Sequence, residues 1–431
     1  MNIVLIGMRG SGKTAVGKIL AQRLGRELIE MDELIVQKAG KSIPEIVAQH
    51  GWEKFRDLEA EITAGVTKRD NTVIATGGGV VVSSPNITKL KQNGLVVWLT
   101  ASVDTILNRI GDDESRPLLK GKTRREDIEI TLAERQPLYQ KAADITIDTE
   151  GKTPEAVAET IAKTEICCII GDPVEHSLSP SIHNAAYKAL GLNYTYITLH
   201  TSDIEQAIAN IRTNGLRGAS VTTPHKVSVL KYLDQIDPTA QKIGAVNTIV
   251  NDNGVLTGYN TDGIGALKAL EEATDLDGKK VVLIGAGGAA LAIAAALKKK
   301  KVNLVILNRT GAKAKELATK VGAENAASLD KISLVAEADI LINATTVGMT
   351  PKTAETPVPQ EFLHPRLTVF DIVYNPKETR LLQEARESGG NIVYGYKMLL
   401  HQAAAQFQLF TGHPAPLKVI ESTLIKALGG G

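Results

Sequence analysis

An α/β protein built on parallel sheets is what this sequence predicts, and three observations carry the prediction. Short β-branched runs alternate with helical apolar periodicity along most of the chain. A glycine-rich turn of the form G-x-x-x-x-G-K-T, at residues 7–14, follows the first of those runs. A second, G-x-G-x-x-A at residues 285–290, follows the continuous apolar run Val281-Val282-Leu283-Ile284. Strands that alternate with helices need crossover connections, and crossovers cover both faces of a parallel sheet.

The elements follow in order. Strands are expected at residues 2–6, 27–31, 72–75, 95–99 and 145–147, with helices at 13–24, 44–68 and 102–110 between them. The polar, basic stretch 111–127 reads as a mobile loop. A helix at 153–163 runs almost directly into a strand at Ile166, so the linker is short. A β-α-β-α-β section covers 166–221, and Asn251-Asp252-Asn253-Gly254 marks a hairpin. From Lys279 to Tyr394 strand and helix alternate again. The last helices, 398–411 and 415–428, fold back onto the second section. Three compact units in two functional halves are expected: 1–163, then 165–265 joined with 395–431, then 266–394. At about 100–200 residues per domain, 431 residues allow two to four.

Composition excludes several classes. Lys plus Arg number 49 and Asp plus Glu 48, a net charge of +1 that argues against nucleic acid or an acidic membrane surface as the main partner. Apolar residues at 43% and charged residues at 23% are a globular mix. Cys167 and Cys168 are adjacent, and strand neighbours point to opposite faces, so no structural disulfide is expected, in keeping with a reducing compartment. The opening MNIVLIG lacks a basic start and runs into glycines, unlike a secretory signal, and the longest uncharged run, 281–297, falls just short of a membrane span. The expectation is a soluble, cytoplasmic protein acting on small molecules as a monomer or homodimer.

The first glycine turn, Gly7-Met8-Arg9-Gly10-Ser11-Gly12-Lys13-Thr14, is a phosphate loop in its required strand-to-helix setting. Gly10, Ser11, Gly12, Lys13, Thr14 and Ala15 are expected to cradle ATP, Lys13 to reach the β- and γ-phosphates, and Thr14 to hold Mg²⁺. Glu30 and Asp32, two apart at the end of the second strand, both face the phosphate site. Arg56 in an apolar helical segment, Thr76-Gly77-Gly78-Gly79 after a strand, Ser115-Arg116-Pro117 in the basic loop and Arg135-Gln136-Pro137 follow. Each of these is bland alone. In this order, over about residues 1–163, they resemble shikimate kinase. The resemblance implies a P-loop fold like that of the nucleoside-monophosphate kinases. It assigns Asp32 to the substrate hydroxyls, Arg56 and Arg135 to its carboxylate, Gly78 to its ring, Arg116 to a lid over the ATP phosphates, and Arg109 to the adenine side. The family usually carries Asp-x-Asp where this chain has Glu30, whose implied task is to hold Mg²⁺ through water. Lys13, Mg²⁺ and Arg116 would supply positive charge, and Asp32 would orient or deprotonate the hydroxyl.

The second glycine turn, Gly285-Ala286-Gly287-Gly288-Ala289-Ala290, is a dinucleotide fingerprint. The next strand ends in Asn308-Arg309-Thr310, with Lys313 one helical turn on. The acid expected for a ribose 2′-hydroxyl is missing, and two cations stand there instead, which points to NADPH. In His176-Ser177-Leu178-Ser179-Pro180, two serines in an extended segment aim their hydroxyls the same way, and Ser179 caps the helix that Pro180 begins. Thr222 and Lys226 follow a strand; Asn247, Asp262, Tyr374 and Gln402 lie in later loop-end motifs. In this order, over about residues 165–431, they resemble shikimate dehydrogenase, a two-domain α/β dehydrogenase with a Rossmann NADP-binding domain. The resemblance implies that Lys226 and Asp262 are the catalytic pair. It implies substrate contacts for Ser177, Ser179, Thr222, Asn247, Tyr374 and Gln402, and places Ile372 and Gly395 beside the nicotinamide. Ser220 stands where the family commonly has Asn. Burial lowers a lysine pKa and a nearby carboxylate raises it, so the pair can poise a proton for a ketone oxygen. The histidines at 176, 183, 225 and 401 are read as structural, without metal-ligand spacing.

Together the resemblances imply a bifunctional enzyme that reduces 3-dehydroshikimate to shikimate with NADPH and phosphorylates shikimate with ATP to shikimate 3-phosphate. Two other readings stay open: one half is an inactive binding or regulatory module, or the dehydrogenase also accepts quinate.

Overall fold

The computed structural model describes residues 1–111 and 123–429. The chain divides into two compact units, Met1–Ile166 with Asn193–Ile197, and Cys167–Leu192 with Thr198–Gly431.

The first unit is a five-stranded sheet: β1 Asn2–Ile6, β2 Glu27–Glu30, β3 Thr72–Ala75, β4 Gly94–Thr100 and β5 Ile145–Asp148, in the order β2-β3-β1-β4-β5. Every pairing in it is parallel. All five residues of central β1 are buried, which explains why it reads as an unbroken apolar run. Two helix starts are set by reciprocal caps. Ser42 accepts from the Glu45 N–H while the Glu45 carboxylate accepts from the Ser42 N–H, at the head of helix Ile43–Val66. Thr123 and Glu126 do the same for helix Arg124–Ala142. The expected loop 111–127 is therefore too long: its last residues are helical, because this cap starts the helix at Arg124. The core of that stretch, residues 112–122, lies outside the described residues. A second correction concerns Asp32. The strand ends at Glu30, and Asp32 sits in the first turn of helix Met31–Ala39, where a carboxylate suits the positive end of the helix.

Residues 165–393 form two more sheets. One is mixed: β6 Glu165–Gly171, β7 Tyr194–His200, β8 Gly218–Val221, β9 Gln235–Ile236, β10 Thr248–Asp252 and β11 Val255–Tyr259, in the order β7-β6-β8-β10-β11-β9. Asn253 and Gly254, at φ 54 and 94, make the tight β10–β11 turn that antiparallel pairing needs. The other sheet is parallel: β12 Lys280–Ile284, β13 Asn303–Asn308, β14 Asn325–Ser328, β15 Ile340–Asn343, β16 Thr368–Asp371 and β17 Asn391–Val393. Its order, β14-β13-β12-β15-β16-β17, reverses direction at β12. That reversal opens a crevice at the carboxyl end of β12, the place where doubly wound sheets bind nucleotides. The two cysteines lie side by side in β6, buried and without a disulfide. No described helix is long and apolar enough to cross a membrane.

The last helices, Gly395–Thr411 and Leu417–Ala427, return to pack against helices Asp262–Glu271 and Ser179–Ala189. Two glycines let helix Asp262–Glu271 sit this close. A Cβ on Gly263 would lie 2.6 Å from the Ala292 carbonyl, and one on Gly265 would lie 2.7 Å from the Met398 carbonyl. Gly265→Ala is therefore expected to push this helix away from Gly395–Thr411, at a cost of about 1–3 kcal/mol. Thermal unfolding monitored with the activity of each half checks it. The second unit should melt earlier and lose turnover, with the first unit unchanged.

Candidate active sites

The first site forms where β1 ends. Gly7, Gly10 and Gly12 take φ values of 144, 76 and 96, which L side chains rarely adopt, so the loop curls back as helix Lys13–Leu24 begins. Lys13 Nζ donates to the carbonyls of Gly7 at 2.9 Å and Met8 at 3.0 Å, so its ammonium lies over the loop. The helix has no acid in its first turn, and Ser11 Oγ is buried without a hydrogen-bond partner among the described residues. Backbone N–H groups, a helix N-terminus, an ammonium and an unused buried hydroxyl fit a polyphosphate. Thr14 Oγ1 donates to Glu30 Oε2 at 2.9 Å. A hydroxyl beside a carboxylate is an oxygen donor set that fits Mg²⁺.

These groups line a cavity of about 760 Å³ that also takes in Asp32, Gly78 and Arg109. Asp32 lies against the glycine turn: a Cβ on Gly77 would be 2.6 Å from its Oδ1. Arg109 is held at the cavity by Thr149, donating to its Oγ1 at 2.9 Å and its carbonyl at 3.0 Å.

A second cavity, of about 430 Å³, gathers Trp52, Arg56, Gly78 and Arg135. Arg56 Nη1 lies 2.6 Å from Glu59, whose side chain is only 1% exposed, so a buried acid fixes the guanidinium. Arg135 donates to the Gly78 carbonyl at 3.1 Å, and the Tyr139 hydroxyl donates to the same oxygen. Two arginines thus converge on one pocket from different helices, the arrangement expected for a carboxylate. Arg116 lies outside the described residues.

In the second unit, Lys226 Nζ donates to Asp262 Oδ2 at 2.6 Å. The other carboxylate oxygen accepts from Asn247 Nδ2 at 2.8 Å, and Asn247 also reaches Thr261 at 3.0 Å. Asp262 is the first residue of its helix, so the helix N-terminus adds to its stabilisation. The pair faces a cavity of about 230 Å³ shared with Ser177, Ser179, Thr222 and Ser220. Tyr374 and Gln402 line it too. Ala289, Ile372 and Gly395 form its wall on the side of the parallel sheet.

The serines needed correcting. Residues 175–178 form a turn and a bend instead of an extended segment. Leu178 occupies the N-cap, and Ser177 Oγ accepts from the Ser179 N–H at 3.2 Å. A turn places both hydroxyls in the cavity where a strand was expected to do so.

The dinucleotide turn lies at the end of β12. Gly285 has φ 122, and a Cβ there would meet the Ala344 carbonyl at 2.8 Å. Gly287 and Gly288 face open space. The helix Gly288–Leu297 has neither a side-chain cap nor an acid in its first turn, which leaves its N–H groups for an anion. With Ala286 the glycines form a cradle that fits a pyrophosphate. At the end of β13, Asn308 donates to the Thr310 carbonyl at 3.0 Å, and Arg309 and Lys313 are exposed beside that turn. These residues do not line the Lys226 cavity; the turn reaches it through Ala289.

Sequence reasoning missed three groups. Gln406 is buried in the same cavity wall and donates to Thr248 Oγ1 at 2.9 Å. Its position four residues after Gln402, on the same helix face, was the available signal. Arg9, in a motif position open to any residue, pairs with Asp127 at 3.2 Å. Asp371 is wholly buried at the end of β16, accepting from Asn343 Nδ2 at 2.9 Å, the Val373 N–H at 3.1 Å and Thr379 Oγ1 at 2.6 Å. His183 stacks on Phe407, and burial pulls its pKa down to about 3. His225 Nε2 lies 2.9 Å from the Thr201 carbonyl, and His401 Nε2 lies 2.8 Å from Glu272.

A nucleotide cradle opening on an arginine-lined pocket, and a lysine–aspartate pair beside a dinucleotide turn, define a phosphotransferase and a pyridine-nucleotide dehydrogenase on one chain. Known families agree in both places. Residues 9–165 match the family model of shikimate kinase. Residues 169–249 match the shikimate dehydrogenase substrate binding domain, 267–377 shikimate/quinate 5-dehydrogenase, and 395–425 the shikimate 5′-dehydrogenase C-terminal domain. Among curated relatives, a shikimate dehydrogenase (NADP(+)) of Moorella thermoacetica is 45% identical over 283 residues, 62% of this chain and 95% of the relative. One from Methanobrevibacter smithii is 47% identical over 276 residues, covering 62% and 98%. The crystal structure of Thermus thermophilus shikimate 5-dehydrogenase with NADP(H) and shikimate superposes at TM-score 0.58 with 36% identity, covering 61% of this chain and 100% of that one. The chain belongs to the shikimate dehydrogenase family and carries a shikimate kinase domain ahead of it, a kinase–dehydrogenase fusion.

Burial raises the Asp371 pKa to about 6. A folded-state value above the unfolded one means stability that is full below about pH 4 and lost as pH rises through about 6. Asp371→Asn should remove this term. From pH 7 to pH 4 the wild type should gain roughly 1–3 kcal/mol on the variant, read as the difference between their denaturation midpoints. An unchanged difference would contradict it.

Proposed function

We propose that the second unit reduces 3-dehydroshikimate to shikimate with NADPH, and that the first phosphorylates shikimate at its 3-hydroxyl with ATP. The observation that carries the reading is the Lys226–Asp262 pair at 2.6 Å in a cavity walled by Ala289 of the dinucleotide turn. Within it, residues 1–163 act as the kinase domain, 165–265 with 395–431 as the substrate domain, and 266–394 as the NADP-binding domain.

In the reduction, NADPH supplies the hydride when bound. Ser177, Ser179 and Thr222 offer hydroxyls to the substrate carboxylate and ring oxygens, with Asn247, Tyr374 and Gln402 completing the contacts. Lys226 gives its proton to the ketone oxygen as the alcohol forms, and takes it back in reverse. Asp262 keeps the ammonium aimed, and Asn247 keeps Asp262 aimed. Arg309 and Lys313 prefer a 2′-phosphate over a bare ribose.

In the phosphoryl transfer, Mg²⁺ at Thr14 and Glu30 would neutralise phosphate charge. Lys13 and the loop N–H groups hold the phosphates, and Arg109 borders the adenine side. Arg56 and Arg135 take the shikimate carboxylate, Gly78 lies against its ring, and Asp32 receives the proton of the attacking hydroxyl. Arg116 adds charge over the phosphates. The enzyme works as a monomer or homodimer in the cytoplasm, where thiols stay reduced.

Lys226→Ala should abolish NADPH oxidation with 3-dehydroshikimate and spare ATP turnover with added shikimate. Lys13→Ala should do the reverse. Loss of both activities from either substitution in a folded protein would contradict two independent sites, and a wild type lacking one activity would mean that this half only binds.

A further inference from the structure

We propose that Arg9 is a further catalytic residue of the kinase unit, touching the phosphoryl group as it passes from donor to acceptor, and that Asp127 is the positioning residue that aims it. The proposal rests on reading the phosphate-loop cavity as the ATP site and the arginine-lined cavity as the shikimate site. Among the described residues, only Arg9 and Gly78 line both cavities. Gly78 has no side chain, so Arg9 contributes the one side chain on the boundary.

The boundary is narrow. A Cβ on Gly78 would stand 3.2 Å from the Arg9 backbone nitrogen and 3.3 Å from the Gly7 carbonyl, so the glycine turn and the phosphate loop are nearly in contact there. A phosphoryl group moving between the two cavities must cross beside this point. The Arg9 guanidinium is held in place: Nη2 lies 3.2 Å from Asp127 Oδ2, with side-chain exposures of 19% and 11%. Asp127 lies in the first turn of helix Arg124–Ala142, which also carries Arg135. One rigid helix therefore sets both the carboxylate-binding arginine and the acid that orients Arg9.

The chemistry at that point calls for such a group. As the hydroxyl oxygen bonds to the γ-phosphorus, the bond to the bridging oxygen breaks, ADP leaves with those electrons, and the hydroxyl proton passes to Asp32. Negative charge spreads over the three equatorial oxygens in flight. Lys13 is anchored on the donor side, over the Gly7 and Met8 carbonyls. A planar guanidinium at the crossing would meet the equatorial oxygens from the acceptor side. The G-x-x-x-x-G-K-T pattern does not demand an arginine in the position that Arg9 fills, so the loop fold alone does not account for it.

The test uses the full chain and the variants Arg9→Met, Arg9→Lys and Asp127→Asn. Kinase kcat is measured alongside calorimetric dissociation constants for ADP and for shikimate. Arg9→Met should lower kcat by about 10²-fold while both dissociation constants stay within about threefold, the mark of a contact made in the transition state. Arg9→Lys should recover about a tenth of the lost rate, and Asp127→Asn should lose roughly 3–10-fold in kcat with unchanged binding, as expected of an orienting partner. Arg9→Met that keeps kcat within about threefold, or that weakens ligand binding as much as it slows turnover, would overturn the proposal. Should that variant fail to fold by circular dichroism, Arg9→Gln answers with the same two outcomes. Arg56→Met serves as the control on the cavities: unchanged shikimate affinity would overturn their assignment, and the Arg9 proposal with it.

Discussion

Anionic ligands have to be met where backbone N–H groups face solvent, and in a buried parallel sheet that happens only at the carboxyl ends of the strands. Both halves of this chain are arranged around that constraint. β1 and β12 are each an apolar strand central in its sheet, and each ends in a glycine turn that opens a helix lacking an acid in its first turn. The glycines are required by contact as well as by conformation. At Gly7 a side chain would strike the Leu99 carbonyl, and at Gly285 it would strike that of Ala344. The nucleotide position is thus fixed by strands that cannot move without breaking their cores, and the reacting groups are set around it.

Those groups are held by acids and amides buried behind them. Glu59 fixes Arg56, Asn247 fixes Asp262, and Asp371 ties the end of β15 to the segment after β16. A long cationic side chain loses rotamer freedom when it binds, so a buried partner that has already ordered it removes part of that cost. The near-neutral net charge of the chain conceals these local pairings: positive groups face the cavities, and the acids that orient them stand one layer deeper.

Much of this was legible in the sequence, for identifiable reasons. Strands Asn2–Ile6 and Thr72–Ala75 are short apolar runs bounded by turn residues, and the structure gives them the predicted bounds. The glycine motifs state their own backbone geometry. The residues expected at the dehydrogenase site line one cavity because each motif sits at an element end facing it. Element starts decided by side chains were harder. The helix at Arg124 is set by a Thr123–Glu126 exchange inside a stretch whose polarity reads as loop. Asp32 moves from strand end to helix because Glu30 closes β2. Ser177 and Ser179 meet through a turn that alternation cannot express. Asp127 and Asp371 pair with residues distant in the chain, for which one sequence carries no signal, whereas Gln406 stands one helical turn after Gln402.

One chain carries two working sites acting on the same small acid. A coupled assay with the purified protein, 3-dehydroshikimate, NADPH, ATP and Mg²⁺ tests it most directly. NADPH oxidation should be followed by ADP and a phosphate ester of shikimate, approaching one ester per NADPH consumed. Accumulation of shikimate with ATP intact, or ATP consumption only when shikimate is added and no NADPH oxidation at all, would contradict it.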